Sequence, residues 1–311
     1  MLPIRSKPRL CKHPLMESLR VSAPDPSTDM AFARNFWLRV ETIHAVTYFA
    51  AESTEAATAT GLVGFWAGYF GFRAAPLGQV GAGVVEATFF NFAPSFVQRW
   101  VPDVWRTVRP EDLLAARAGS ASAALRRVAP AVTEVAPRVA QALAGVVDAA
   151  VAAGRPLFAA NRLLALPNEP IAALWQLCTC LREHRGDGHV AALTAAGLDG
   201  IEAHVLIALE QGNSPKDLQR TRGWSADDWS AAVGGCRDRG LVAADGSLSA
   251  AGRALRADVE ATTDRLAAAP FGVLDAPSRD LLIDALDPVA RAIAASGTIR
   301  YPNPMGLPAL V

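Results

Sequence analysis

The sequence predicts an all-α protein with two domains and one short β-hairpin. Apolar residues recur at the spacing of amphipathic helices along most of the chain, and before residue 190 almost no stretch alternates as a strand does. A length of 311 residues exceeds the usual size of a single domain. The hairpin is predicted at Asp245-Gly246, because this dipeptide is preferred in two-residue turns and short apolar segments flank it.

The N-terminal part of the chain divides into a tail and a helical domain. Residues 1–30 are predicted to form a disordered tail, because basic residues lie among Pro and Ser there and the apolar residues do not recur at helical spacing. Residues 31–190 predict a multi-helix domain whose first helix covers 31–60 and ends at Gly61. Proline and glycine separate the helices predicted after it, which cover 64–71, 81–91, 94–100, 111–128, 132–153, 157–166 and 171–184.

Shorter helices are predicted in the second domain, residues 191–270. Asp199, Ser214 and Ser225 are typical N-cap residues, and each precedes a helical stretch. Three helices, the hairpin and a long helix follow one another in the order of a winged helix-turn-helix domain, with the hairpin as a short wing. A closing helix and a tail are predicted over residues 271–311.

Composition excludes several classes of protein. The chain has 30 Lys and Arg against 30 Asp and Glu. Its net charge therefore gives no electrostatic reason to expect binding to nucleic acid or to a membrane surface. We expect no membrane span, because no run of about 20 apolar residues is free of charge. Cys178 and Cys180 would point about 200° apart on a helix, so they cannot share a metal or a disulfide. They indicate a cytoplasmic protein with buried thiols. The sequence contains no motif from which a cofactor could be predicted.

Two stretches of the second domain resemble the winged-helix core of MarR-type regulators. Arg239-Gly240-Leu241-Val242 is similar to the end of their recognition helix and the first wing strand. Ser249 through Leu255 is similar to the second wing strand and the start of the next helix. The resemblance implies a MarR-like ancestry for this part of the chain.

Over residues 36–295 the chain also resembles an actinobacterial helix-turn-helix family of unassigned biochemical role. The resemblance supports the predicted fold and implies no particular chemistry. It rests on His44 with Tyr48-Phe49-Ala50, Tyr69-Phe70 with Arg73 through Gly78, Thr88 through Phe92, Gly154 through Phe158, and Leu181 through His189.

The predicted recognition helix, residues 225–236, is poorly suited to DNA. It opens with Asp227 and Asp228, where phosphate contacts would need positive charge, and the wing lacks a basic tip. Residues 201–270 hold eight Lys and Arg against ten Asp and Glu, whereas nucleic-acid modules carry an excess of positive charge. Lys216 and Arg220, with Arg222, cluster beside the turn; they form either a solvated helix face or a phosphate contact. DNA is therefore a possible but disfavoured partner.

Polar residues on the first predicted helix form one candidate site. At 100° per residue, His44, Tyr48 and Glu52 fall in one narrow stripe with two further glutamates. The stripe is either a solvent-exposed face or the wall of a cavity.

The second candidate site is the densest polar stretch, residues 181–189. Gly186 is expected to interrupt the helix, so that the backbone bends and approaches a ligand closely. The alternative is a structural helix end held by charged hydrogen bonds. The candidate ligand-binding residues here are Arg182, His184, Arg185, Asp187 and His189, and elsewhere Tyr69, Arg73 and Asn91.

These residues predict a small-molecule-binding protein, with the ligand held between the stripe, the aromatic region 65–92 and the bend at 182–189. The residues do not identify the small-molecule ligand. They also leave open whether the chain forms a homodimer. One alternative is an enzyme that uses His44 or His184 for acid–base chemistry with Glu52 or Asp187 as partner, or a metal held by His44, His184 and His189. The other is a sequence-specific DNA-binding regulator.

Overall fold

The computed structural model describes residues 26–310, and helices dominate this part of the chain as predicted. The α-helices are α1 (Pro26–Phe49), α2 (Ala51–Ala59), α3 (Phe65–Ala74), α4 (Ala82–Phe89), α5 (Pro94–Gln98), α6 (Val101–Thr107), α7 (Pro110–Val128), α8 (Val132–Ala149), α9 (Pro156–Arg162), α10 (Pro170–Ala195), α11 (Gly200–Gln211), α12 (Pro215–Arg222), α13 (Ala226–Asp238), α14 (Ala250–Ala268) and α15 (Ala276–Ala295). Short 3-10 segments cover Ala75–Leu77 and Ala269–Val273.

Helix α10 is the central element of the helical body. It packs against α1, α7, α8, α9 and α14, and its Trp175 is among the largest fully buried side chains. The Glu169 side chain caps its N-terminus by accepting hydrogen bonds from the backbone N–H groups of Ile171 and Ala172. The predicted core thiols Cys178 and Cys180 are buried on it, and burial raises the pKa of Cys180 to about 12.

The prediction that Gly186 ends this helix is wrong. Helix α10 runs without a break through Gly186 and Gly188, and so extends the helix predicted over 171–184 as far as Ala195. A side chain at Gly188 would stand 2.8 Å from Nη1 of Arg155 and 3.4 Å from Cβ of Leu266. The glycine thus permits close packing between neighbouring elements, and tertiary contacts outweigh its poor helix propensity.

The first predicted helix, 31–60, is interrupted. Ala50 adopts an extended conformation (φ −76°, ψ 144°), so α1 ends at Phe49 and a separate helix α2 follows. A stripe that continues from His44 to Glu52 therefore does not exist. The helix also begins earlier than expected, at Pro26, and the rest of the predicted tail, residues 1–25, lies outside the described residues.

Helices α11 to α14 form the helix-turn-helix region, with a core that includes Leu206, Trp229 and Cys236. The three predicted N-caps, at residues 199, 214 and 225, all accept backbone hydrogen bonds. The predicted β-hairpin wing is not confirmed. Gly246 turns the chain with φ +86°, but within residues 26–310 the only β-pairing is a single antiparallel bridge between Val242 and Leu248. The segments on either side of the turn are too short to extend this single bridge into two paired strands.

The turn between α12 and α13 is packed against the helical body. The backbone N–H of Ala93 donates to the carbonyl of Arg222 at 2.9 Å, and Nε1 of Trp224 donates to the carbonyl of Asn91 at 3.1 Å. A side chain at Gly223 would lie 2.3 Å from Cβ of Phe96. The helix-turn-helix region is therefore docked through its own turn.

Among residues 26–310 no single helix has both the length and the apolar composition of a membrane span. Helices α10 and α11 meet these criteria only when taken together, and a bend of 98° separates them.

Candidate functional site

A cavity of about 400 Å³ lies between the helical body and the helix-turn-helix region. Helices α1, α3, α4, α10, α11, α12 and α14 line it, together with the segment that follows α4 and the chain segment 304–306. Both parts of the protein therefore contribute to one partly open cavity. Six of the residues predicted to bind a ligand line this cavity: Tyr69, Arg73, Asn91, Arg182, Arg185 and His189.

An ion network fixes one wall of the cavity. Glu183 lies between Arg182, whose Nη1 is 2.8 Å from Oε2, and Arg73, whose Nε is 3.2 Å from Oε1. Arg182 also bonds Glu41 at 3.1 Å, and Arg73 donates to the Tyr69 hydroxyl at 3.2 Å. Burial alone would raise the pKa of Glu183, but the charges of Arg182 and Arg73 outweigh it and lower this pKa to about 2.

A second network fixes the wall formed by α14. Arg185 donates to Asp264 at 2.7 Å and to Glu260 at 3.3 Å, and Arg34 also contacts Glu260. Nδ1 of His189 is 2.9 Å from Oγ1 of Thr263. Burial lowers the pKa of His189 to about 4, so its imidazole is neutral at pH 7.

Arg222, at the end of α12, is the exception among the arginines of the cavity. Its side chain is buried, and in the described part of the chain it forms no ion pair, whereas the other five cavity arginines each contact a carboxylate. It donates only to the carbonyls of Thr221 (3.2 Å) and Pro304 (3.0 Å), and its guanidinium stacks over Phe92 at 4.7 Å.

Three polar atoms in the cavity lining have no hydrogen-bond partner among residues 26–310. They are Nε of Arg222, Nε2 of His204 and Oδ1 of Asn91. His204 and Arg222 are only 3% and 8% exposed, so solvent does not readily replace the missing partners. Leaving a buried polar group without a partner is costly, so these three atoms mark the places in the cavity lining where a hydrogen-bond partner is missing.

The aromatic wall of the cavity contains a strained residue. Phe89, Phe90 and Phe92 line it, and Phe90 has φ +60°, a conformation that non-glycine residues rarely adopt. Its carbonyl packs so tightly on α11 that a side chain at Gly200 would stand 2.2 Å from it. Such strain costs about 1–3 kcal/mol and concentrates at functional sites.

The remaining predicted residues lie elsewhere. On a continuous helix, residues 182, 185, 186, 189 and 193 share the face toward the cavity, which turns His184 and Asp187 away from it. His184 packs edge-on against the Phe158 ring at 5.0 Å, and Asp187 accepts the Phe158 N–H at 2.9 Å. Burial lowers the pKa of His184 to about 3 and raises that of Asp187 to about 7.

His44, Tyr48 and Glu52 do not form one site. The two nitrogens of His44 lie 2.9 Å from the hydroxyls of Thr179 and Tyr48, away from the cavity wall. Burial lowers the pKa of His44 well below its ordinary value. The break at residue 50 separates Glu52 from α1, so that it lies on α2. There its carboxylate pairs with Arg127.

The predicted metal set is not assembled. His44, His184 and His189 occupy three different environments, and across residues 26–310 no group of three His, Cys, Asp or Glu side chains is placed to hold a metal ion. The acid–base residues named for an enzyme, His44 and His184, likewise do not line the cavity.

Sequence reasoning missed several residues of the cavity, among them His204, Arg222 and Met305. His204 and Met305 carried no local signal, whereas Phe90 belonged to the aromatic region 65–92, which was interpreted as core or as the wall of a pocket. Arg222 was interpreted as part of a solvated helix face or a phosphate contact. Its position just before Gly223-Trp224, where the helix ends against an aromatic group, was the available sign of burial.

Comparison with known proteins adds the family. No curated protein and no solved structure significantly matches the chain. The model of a family described as a helix-turn-helix family matches residues 33–300, which span the helical body, the cavity and helices α11 to α14. Because this match covers most of the chain, the protein belongs to that helix-turn-helix family.

Proposed function

We propose that this protein binds a small molecule in the cavity between its two parts and that occupancy is transmitted to the helix-turn-helix region. The observation that carries the proposal is the set of three unpartnered polar atoms around the cavity. Asn91 belongs to the helical body, whereas His204 and Arg222 belong to the helix-turn-helix region. A ligand that satisfies all three would link the two parts.

The route of transmission is short. The side chain of Arg222 lines the cavity, and its carbonyl accepts the Ala93 N–H that docks the turn between α12 and α13. A ligand that moves Arg222 would therefore act directly on that turn. Such coupling requires that the ligand bind one docked arrangement more tightly than another.

Native mass spectrometry of freshly purified protein, combined with thermal unfolding, tests the proposal. We expect a co-purifying small molecule, whose removal lowers the thermal midpoint and whose return restores it. Protein that carries no bound molecule and is stabilised by no compound of a broad panel would contradict the proposal. The same spectra count subunits and so test a homodimer.

DNA binding is the second candidate function, and membership of a helix-turn-helix family favours it. A MarR-like ancestry and a cytoplasmic location belong to the same hypothesis, supported by the helix order α11 to α14. Lys216 and Arg220 are exposed beside the turn, but so are Asp227 and Asp228 at the start of α13. Phosphate contacts would thus be few.

Gel-shift assays at about 50 mM and 200 mM salt, with the promoter region of the protein's own gene, test this candidate. Binding that weakens with salt and weakens further on Lys216→Gln supports it. No shift at low salt contradicts it.

A further inference from the structure

The cavity arginines differ in how their charge is compensated. Glu41 and Glu183 offset Arg73 and Arg182, while Glu260 and Asp264 offset Arg34 and Arg185. Glu210 offsets Arg256 through a contact of 2.6 Å. In the described residues no acidic group does the same for Arg222, so the cavity lining and its bonded neighbours carry one net positive charge.

The guanidinium of Arg222 is preorganised to receive a partner. Of its five N–H donors, two are used on carbonyls, which leaves three, including the one on Nε. Stacking on Phe92 and burial hold the group in place. A buried guanidinium without a counter-ion is unfavourable, and a carboxylate matches its paired N–H groups in shape and charge.

The neighbours of Arg222 extend the recognition. The unpartnered Nε2 of neutral His204 and Oδ1 of Asn91 offer positions for polar groups of a ligand, and the phenylalanines of the wall offer an apolar surface. A volume of about 400 Å³ accommodates a one- or two-ring organic molecule.

We propose that the ligand is an organic monocarboxylate with an aromatic body, whose carboxylate pairs with Arg222. This inference rests on the proposed function and names its ligand class. Binding supplies the missing negative charge, satisfies the free N–H donors and places the ring against the aromatic wall.

Matched pairs of probes test the inference on the full-length protein. The pairs are benzoate with benzamide, phenylacetate with phenylacetamide, and 1-naphthoate with 1-naphthamide; within a pair only the charge differs materially. We expect at least one carboxylate to raise the thermal midpoint and to bind, by calorimetry, roughly tenfold or more tightly than its amide.

Two variants of Arg222 test whether this residue supplies the positive charge that binds the carboxylate. Arg222→Gln should weaken binding of that carboxylate roughly tenfold or more, while Arg222→Lys should retain the preference for carboxylate over amide. Arg220→Gln is the matched control, because Arg220 lies on the same helix but is exposed and paired with Asp217, and it should bind as the wild type does. If Arg222→Gln fails to fold, the carboxylate-to-amide ratio of the wild type decides.

The outcomes separate the two proposals. If amides or other neutral compounds stabilise the protein as well as carboxylates do, small-molecule binding stands and the monocarboxylate inference is wrong. The inference is also wrong if Arg222→Gln binds the carboxylate like the wild type. If no probe binds and native mass spectrometry shows no bound molecule, both proposals are wrong.

Discussion

Replacing Glu183 with Gln tests the ion network behind the cavity wall. The substitution keeps the size of the side chain but removes the negative charge between Arg73 and Arg182. Glu183 is 1% exposed, so water cannot take the place of the lost charge. Two buried guanidiniums would then face each other, with only Glu41 left to compensate them.

Two routes give the size of the effect. Breaking a buried ion pair by removing one partner costs about 3–5 kcal/mol. Independently, lowering the pKa of Glu183 from its ordinary 4.5 to about 2 corresponds to roughly 3 kcal/mol of stabilisation of the charged form. Because a chain of this length loses roughly 1.6 °C of thermal midpoint per kcal/mol, we expect the midpoint to fall by roughly 5–8 °C at pH 7.

Thermal unfolding followed by circular dichroism measures this change. Glu52→Gln is the control, because that surface pair with Arg127 should contribute no more than about 1 kcal/mol. A Glu183→Gln midpoint no lower than that of the control would refute the reasoning.

The pH dependence gives a second check on the same residue. Because the pKa of Glu183 is lower in the folded than in the unfolded protein, its contribution is fully present above about pH 4.5 and is lost as the pH falls toward 2. The midpoints of wild type and Glu183→Gln should therefore converge at acid pH. A constant difference from pH 7 to pH 3 would show that the charge is not the cause.

Further substitutions test other features. Gly223→Ala should lower the thermal midpoint strongly, since its Cβ would lie 2.3 Å from that of Phe96, whereas Gly240→Ala, with φ +71° but open space, should cost only about 1–2 kcal/mol. Asp187→Asn should become more stabilising, relative to wild type, as the pH rises from 4 to 7, because burial raises the carboxyl pKa to about 7 and the folded wild type loses stability over that range. His44→Ala should lower the free energy of unfolding by about 2–4 kcal/mol through lost hydrogen bonds and packing, yet leave carboxylate binding unchanged; calorimetry that shows lost binding in a folded variant would contradict this.

Helical periodicity was sufficient to predict the fold class, because apolar spacing and N-cap residues are local signals. It was not sufficient at Ala50, where a helix ends although alanine favours helices. It was also not sufficient at Gly186, where a helix continues although glycine disfavours helices. Helix propensity is a weak guide that the rest of the fold often overrides, and a single sequence does not contain those tertiary contacts.

The candidate site was partly predictable for the same reason. Polar density led to Arg182 and Arg185, which line the cavity, but the error at Gly186 placed His184 and Asp187 with them. A continuous helix separates positions one or two residues apart onto different faces. The missing information was therefore the helical phase of this segment rather than its composition.

The segment over the cavity has a practical consequence. Met305 lies in the cavity lining, and Asn303 holds that segment through hydrogen bonds to Met305 and Leu307. The chain has only four methionines, so selective ¹³C labelling of their methyl groups would give a simple spectrum. The Met305 signal would shift when an aromatic ring enters beside it, and so would report occupancy without any knowledge of the natural ligand.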